Sequence, residues 1–173
     1  MESTLEFSRI RLIVFDVDGV LTDGRIIYSS DGSDLKAFNV QDGLGISLLV
    51  QAGIQVAFMS AKGSDTIRRR AQDCKVEIIL ENVEHKGVAL RKLAEDLKIN
   101  LSEVAFVGDD LVDIRAMKIC GFPIAVANAC PEVKEVAVYV TQREGGSGAV
   151  REICEVILKD RGDWPKVIEK FSS

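Results

Sequence analysis

A chain of 173 residues, 47% hydrophobic and only 6% aromatic, predicts one domain over residues 1–173 with a mainly aliphatic core that needs no staples. Its formal charge of -5 argues against broad nucleic-acid binding, and no apolar run is long enough to span a membrane. Residues Met1 to Ser8 lack the basic and apolar pattern of a signal segment, so the expected location is the cytoplasm. Cys74, Cys120, Cys130 and Cys154 form no CxxC pair and have no histidine cluster beside them, which favours free thiols over a zinc site.

The first predicted strand covers residues 10–16, where the apolar run Leu12 to Phe15 ends in Asp16, Asp18 and Gly19. Residues 24–40 read as a β-hairpin insertion turning at Asp31-Gly32. Asp42 and Gly43 are expected to open a helix that runs to Ala52 and stops at Gly53. A strand over 54–59 ends at Ser60, and Ser64 or Asp65 caps a helix carrying Arg68, Arg69 and Arg70. A strand over 76–80 leads to a helix that starts at Lys86 and carries Leu90, Leu93, Ala94 and Leu97 at helical spacing. The strand over 103–107 ends in Gly108-Asp109-Asp110, and a helix with Ile114 and Met117 follows. Strands over 122–127 and 136–140 flank a short helix from Pro131, and Gly145 to Gly148 precede a helix over 149–159. The tail after Gly162 carries no assigned element. Alternation with short connections predicts a doubly wound, Rossmann-like α/β fold with a parallel sheet.

Three strands thus end in polar residues: Asp16 with Asp18, Ser60, and Asp109 with Asp110. Lys86 begins a helix in the same layer. Aspartates around an oxygen-rich site suit Mg²⁺, and a lysine with a hydroxyl suits a phosphoryl group. With an ordinary aspartate pKa of about 3.9, Asp16 is expected to be ionised and nucleophilic at neutral pH. Attack on a phosphate dianion then needs positive charge, each unit worth roughly 4 kcal/mol at about 4 Å and an effective dielectric near 20.

The run Asp16-Val-Asp-Gly-Val-Leu-Thr22, then Ser60, Lys86 and Gly108-Asp109-Asp110-Leu-Val-Asp113, resembles the four ordered motifs of haloacid dehalogenase (HAD) superfamily phosphatases. The resemblance implies that Asp16 is the nucleophile and forms an aspartyl-phosphate. It implies that Asp18 is the general acid, then the base for water. Asp16, the backbone carbonyl of Asp18, and Asp109 are implied as Mg²⁺ ligands, with Asp110 and Asp113 behind them orienting waters or Lys86. Ser60 is implied to hydrogen-bond the phosphoryl oxygens, and Lys86 completes the catalytic set.

The spacings Asp23 to Asp42 and Ser60 to Lys86 leave no room for a large cap domain. A site this open needs a macromolecular substrate or a neighbouring subunit to close it. The hairpin ending Leu-Lys-Ala-Phe-Asn-Val-Gln-Asp-Gly43 and the stretch Gly145-Gly-Ser-Gly-Ala-Val-Arg-Glu152 resemble phosphatases of 3-deoxy-D-manno-octulosonate 8-phosphate (KDO 8-phosphate). That subgroup implies a homotetramer joined by hairpins, substrate at a subunit interface, and a role in lipopolysaccharide precursor synthesis. By position, Asn39, Val40, Gln41, Asp42, Gly43, Lys62, Arg70 and Lys86 are implied to contact the sugar acid or its phosphate. Ser60-Ala61-Lys62 replaces the subgroup's common Thr-Gly-Arg, and arginines expected near Gln41 and Ser47 are absent. Lys62 keeps the charge without the planar fork. A phosphatase of another 2-keto-3-deoxy sugar acid phosphate, such as KDN 9-phosphate, is the neighbouring alternative. A non-catalytic oligomerisation module is the alternative of another class.

Overall fold

Every residue of Leu12–Asp16 is buried in the computed structural model, as a strand covered on both faces requires. Residues 6–32 and 34–172 are described. β1 (Leu12–Asp16) leads into an antiparallel hairpin of β2 (Ile27–Tyr28) and β3 (Asp34–Leu35), in which Ile27 pairs with Leu35. The chain continues through α1 (Val40–Gln51), β4 (Gln55–Met59), α2 (Asp65–Asp73), β5 (Ile78–Leu80), α3 (Lys86–Asp96) and β6 (Val104–Gly108). It ends with α4 (Ile114–Met117), β7 (Phe122–Ala125), α5 (Pro131–Val136), β8 (Tyr139–Val140), α6 (Ala149–Asp160) and α7 (Trp164–Ser172).

Six strands form one parallel sheet in the order β5-β4-β1-β6-β7-β8. Strands are laid outward from β1 to β5, and the chain then returns to place β6 on the other side of β1. That reversal opens a crevice beyond the carboxyl ends of β1 and β6, where open parallel sheets bind their ligands. Phe15, Phe58 and Phe106, one from each of the three central strands, are among the largest fully buried side chains. Burying such a side chain contributes about 1.5–3 kcal/mol. The doubly wound α/β expectation holds, and no large cap interrupts it.

Differences from the sequence expectation have local causes. α1 starts at Val40 because Asn39, in an extended conformation, accepts hydrogen bonds from Gln41 N and Asp42 N at 2.8 and 3.3 Å. Asp42 therefore sits inside the first turn and does not open the helix. β8 is shorter than expected because α5 extends through Val136. The tail is a helix, α7, with Trp164 under the cationic groups of Arg151 and Lys159 at 5.7 and 5.1 Å from the ring centre. Gly145 to Gly148 are docked on their own chain. Gly146 N donates to Val20 O at 3.0 Å, and a Cβ on Gly145 would lie 1.8 Å from Gly19 O.

Candidate active site

β1, β4 and β6 deliver their last residues side by side. Asp16 pairs in register with Met59, which puts Ser60 one residue beyond, and Phe15 pairs with Val107, just before Gly108 and Asp109. After Asp16 the backbone turns sharply. Gly19 takes φ 95, and Thr22 Oγ1 accepts from Gly19 N and Gly24 N, both at 3.2 Å. A side chain at Gly19 is doubly excluded, since its Cβ would lie 2.0 Å from Asp109 Oδ2.

Lys86, at the start of α3 and almost fully buried, donates to Asp16 Oδ1 and Asp113 Oδ1, each at 2.6 Å. The other oxygen of Asp113 accepts from Asp109 N at 3.0 Å and Asp110 N at 3.2 Å. Asp113 thus ties the lysine to the loop that carries Asp109. Asp110 faces elsewhere: its Oδ1 accepts from Leu111 N at 2.8 Å and caps the helical turn Leu111–Asp113. Of the two acids expected to orient waters or Lys86, Asp113 is the one that holds the lysine.

Three carboxylates, Asp16, Asp109 and Asp113, approach one another within 4.8 Å. One ammonium faces them. Burial, then the charge of Asp113, pushes the Asp16 carboxyl well above the usual range despite Lys86. Burial, then Asp113, raises Asp109 to about 6. Burial opposes the charge on Lys86, but Asp16 and Asp113 outweigh it and hold the ammonium above the ordinary lysine range. Burial and the neighbouring carboxylates therefore work against the ionised Asp16 that the sequence reading expects, and Lys86 works for it. The site is short of positive charge, and Asp109 Oδ1 is buried without a hydrogen-bond partner. A divalent oxygen-binding cation fits that donor set.

Around this centre the remaining candidates separate. Ser60 is buried, and its hydroxyl accepts from Lys62 N at 3.2 Å while Lys62 itself is exposed. Val40 and Gln41 are exposed at the start of α1. Asp42 points away into the fold, accepting from Arg151 N at 2.7 Å at the N-terminus of α6. Arg70 donates to Asn39 O at 2.6 Å and stacks over Phe38, and a Cβ on Gly43 would lie 2.4 Å from its Nη2. Asn39, Asp42, Gly43 and Arg70 thus build the junction between hairpin and helices. Phe38 packs inward against the core, beneath Arg70.

Sequence reasoning missed two contacts. Lys36, just beyond β3, donates to Asp18 Oδ1. Asn128 donates to Gly19 O at 3.3 Å and accepts from Gly145 N at 2.7 Å, clamping the glycine loop to the Asp16–Gly19 turn.

Comparison with known proteins agrees with this geometry. The family profile described as haloacid dehalogenase-like hydrolase matches residues 51–153. The chain is 39% identical over 162 residues to the 3-deoxy-D-manno-octulosonate 8-phosphate phosphatase KdsC of Haemophilus influenzae, covering 94% of this chain and 89% of that protein. It is 40% identical over 153 residues to KdsC of Escherichia coli, covering 88% and 81%. It is also similar to the crystal structure of the phosphatase from Moraxella catarrhalis in complex with magnesium, phosphate and KDO, at 43% identity and TM-score 0.94 over 96% of this chain and 95% of that one.

Proposed function

This chain belongs to the haloacid dehalogenase-like hydrolases and, within them, to the KDO 8-phosphate phosphatase family, and we propose on that basis that it hydrolyses KDO 8-phosphate to KDO and phosphate. The observation that carries the chemistry is Lys86 bridging Asp16 and Asp113 beside the unpartnered Asp109 oxygen. Asp16, the Asp18 backbone carbonyl and Asp109 would hold Mg²⁺. Bound there, the ion offsets phosphoryl charge and keeps Asp16 ionised.

The Asp16 carboxylate attacks phosphorus, and the sugar oxygen leaves with a proton from Asp18. Water then attacks the aspartyl-phosphate, giving its proton to Asp18, and phosphate departs with Asp16 restored. Lys86 holds Asp16 in line and offsets charge on the phosphoryl oxygens, which Ser60 also hydrogen-bonds. Asp113 keeps Lys86 placed. Lys62, Gln41 and Val40, which are exposed, would contact the sugar acid, while Asn39, Asp42, Gly43 and Arg70 hold the junction between hairpin and helices. Lys62 meets the substrate carboxylate as a point charge.

The test is kcat/KM with added Mg²⁺ across KDO 8-phosphate, KDN 9-phosphate and carboxylate-free sugar phosphates. KDO 8-phosphate is expected to lead by about tenfold or more, and chelation to abolish turnover. A flat profile would withdraw the substrate assignment.

The same reading includes a homotetramer joined through the hairpins, working in cytoplasmic lipopolysaccharide precursor synthesis. Its support is the apolar surface on the hairpin: Ile26, Ile27, Tyr28 and Leu35 are each at least half exposed. Ile27→Asp is expected to give smaller species in sedimentation and lower activity. Fully active monomers would remove the shared site.

A further inference from the structure

The segment leaving β3 is inside out. Leu35 and Ala37 are exposed, while Lys36 and Phe38 turn inward onto Asp18 and Arg70. The Lys36 side chain is only 9% exposed, whereas neighbouring Leu35 is 54% exposed. Burying a leucine stabilises by about 1.5–3 kcal/mol, and ordering a lysine costs up to about 2 kcal/mol of rotamer entropy. Both terms favour the opposite register. What offsets them is on the inward face: Phe38 lies under Arg70, and Lys36 Nζ donates to Asp18 Oδ1. Arg70 also fixes the backbone at Asn39, so the segment carrying Lys36 is anchored beyond it.

We propose that Lys36 is a positioning residue for Asp18, holding its carboxylate in the orientation from which it exchanges a proton with the leaving sugar oxygen. Lys36 engages one carboxylate oxygen, Oδ1, and this fixes the rotamer while leaving Oδ2 for the proton. Asp18 is one-third exposed on a turn, where its side chain would otherwise sample several rotamers. The hairpin then has a catalytic task of its own, apart from any subunit contact. This rests on the reading of Asp18 as the proton-transfer group.

The experiment uses leaving-group dependence. kcat/KM reports steps through the first departure of the leaving group, so it isolates the step in which Asp18 donates. An alkyl alkoxide needs that proton, while p-nitrophenolate does not. Lys36→Met is expected to lower the ratio of alkyl to aryl kcat/KM by about tenfold or more, part of the roughly 10²–10⁴-fold that general acid catalysis supplies. Lys36→Arg should restore most of the ratio. Both rates come from one preparation, so a fraction of unfolded protein cancels. The alkyl substrates are KDO 8-phosphate and a carboxylate-free sugar phosphate, and both should fall together.

An unchanged ratio in Lys36→Met overturns the proposal. So does a fall confined to KDO 8-phosphate, which would make Lys36 a binder of the substrate carboxylate. Asp18→Asn serves as the reference. If it leaves the ratio unchanged, the reading of Asp18 fails and the proposal with it. If it lowers the ratio and Lys36→Met does not, only Lys36 loses its role.

Discussion

Asp16→Asn is expected to reduce phosphate release by at least about 10⁴-fold, while the thermal midpoint stays the same or rises. The amide cannot attack phosphorus, so the aspartyl-phosphate does not form. The stability side follows from the charge count around Lys86. Asp16, Asp109 and Asp113 crowd one ammonium, and burial and Asp113 push the Asp16 carboxyl upward. A group whose folded pKa is raised contributes stability at low pH and loses it as the pH rises through the folded value. At neutral pH an ionised Asp16 therefore costs stability in the metal-free protein. Asparagine has nearly the same shape and no charge, and it leaves Lys86 paired with Asp113. Thermal melts without added metal, read beside phosphate release, check both halves. Normal turnover would remove Asp16 as nucleophile, and a fall of many degrees would show that its charge is needed for the fold.

The parts of this site visible in the sequence are those that a strand end announces. Leu12 to Phe15 read as a strand because the run is apolar, and the acids after it read as chemistry because Ser60, Lys86 and Asp109 follow in order at two more strand ends and a helix start. Asp109 is legible for the same reason. Asp110 and Asp113 were indistinguishable as two acids near a helix start. Only the turn Leu111–Asp113 separates them, facing one carboxylate to solvent as a cap and the other inward to Lys86. The raised Asp16 was not legible either, since an ordinary aspartate pKa presumes water around the group. Lys36 stayed hidden because a lysine on a short hairpin reads as solvated, and its inward face appears only once the strand is placed. α7 is a different case. Trp164, Val167, Ile168 and Phe171 already repeat at helical spacing, so the signal for it lies in the chain.

Lys86→Met should damage stability and rate together, because it removes the charge that both the fold and the chemistry use. Breaking a buried ion pair by deleting one partner costs about 3–5 kcal/mol, and here two carboxylates lose their partner at once. The penalty is expected to depend on pH. Lys86 is among the groups that pull the pKa values of Asp16 and Asp109 down, so its loss lifts both further. Asp109 already stands at about 6 with the lysine present. Below that pH Asp109 takes up a proton and the missing ammonium matters less. As the pH rises the raised carboxyls must ionise unpaired, and stability falls. Urea unfolding of the metal-free variant should thus show a larger deficit against the parent at pH 8 than at pH 5. A deficit independent of pH would mean that Lys86 stabilises by packing its chain rather than by charge. With Mg²⁺ present, kcat should fall by about 10³-fold, the factor that corresponds to roughly 4 kcal/mol for one unit charge near the phosphoryl group. Lys86→Arg keeps the charge but brings a wider, planar head into a site where Asp16 and Asp113 each accept at 2.6 Å from one nitrogen. It should recover much of the stability at pH 8 and little of the rate, since pairing tolerates a displaced cation and in-line attack by Asp16 does not.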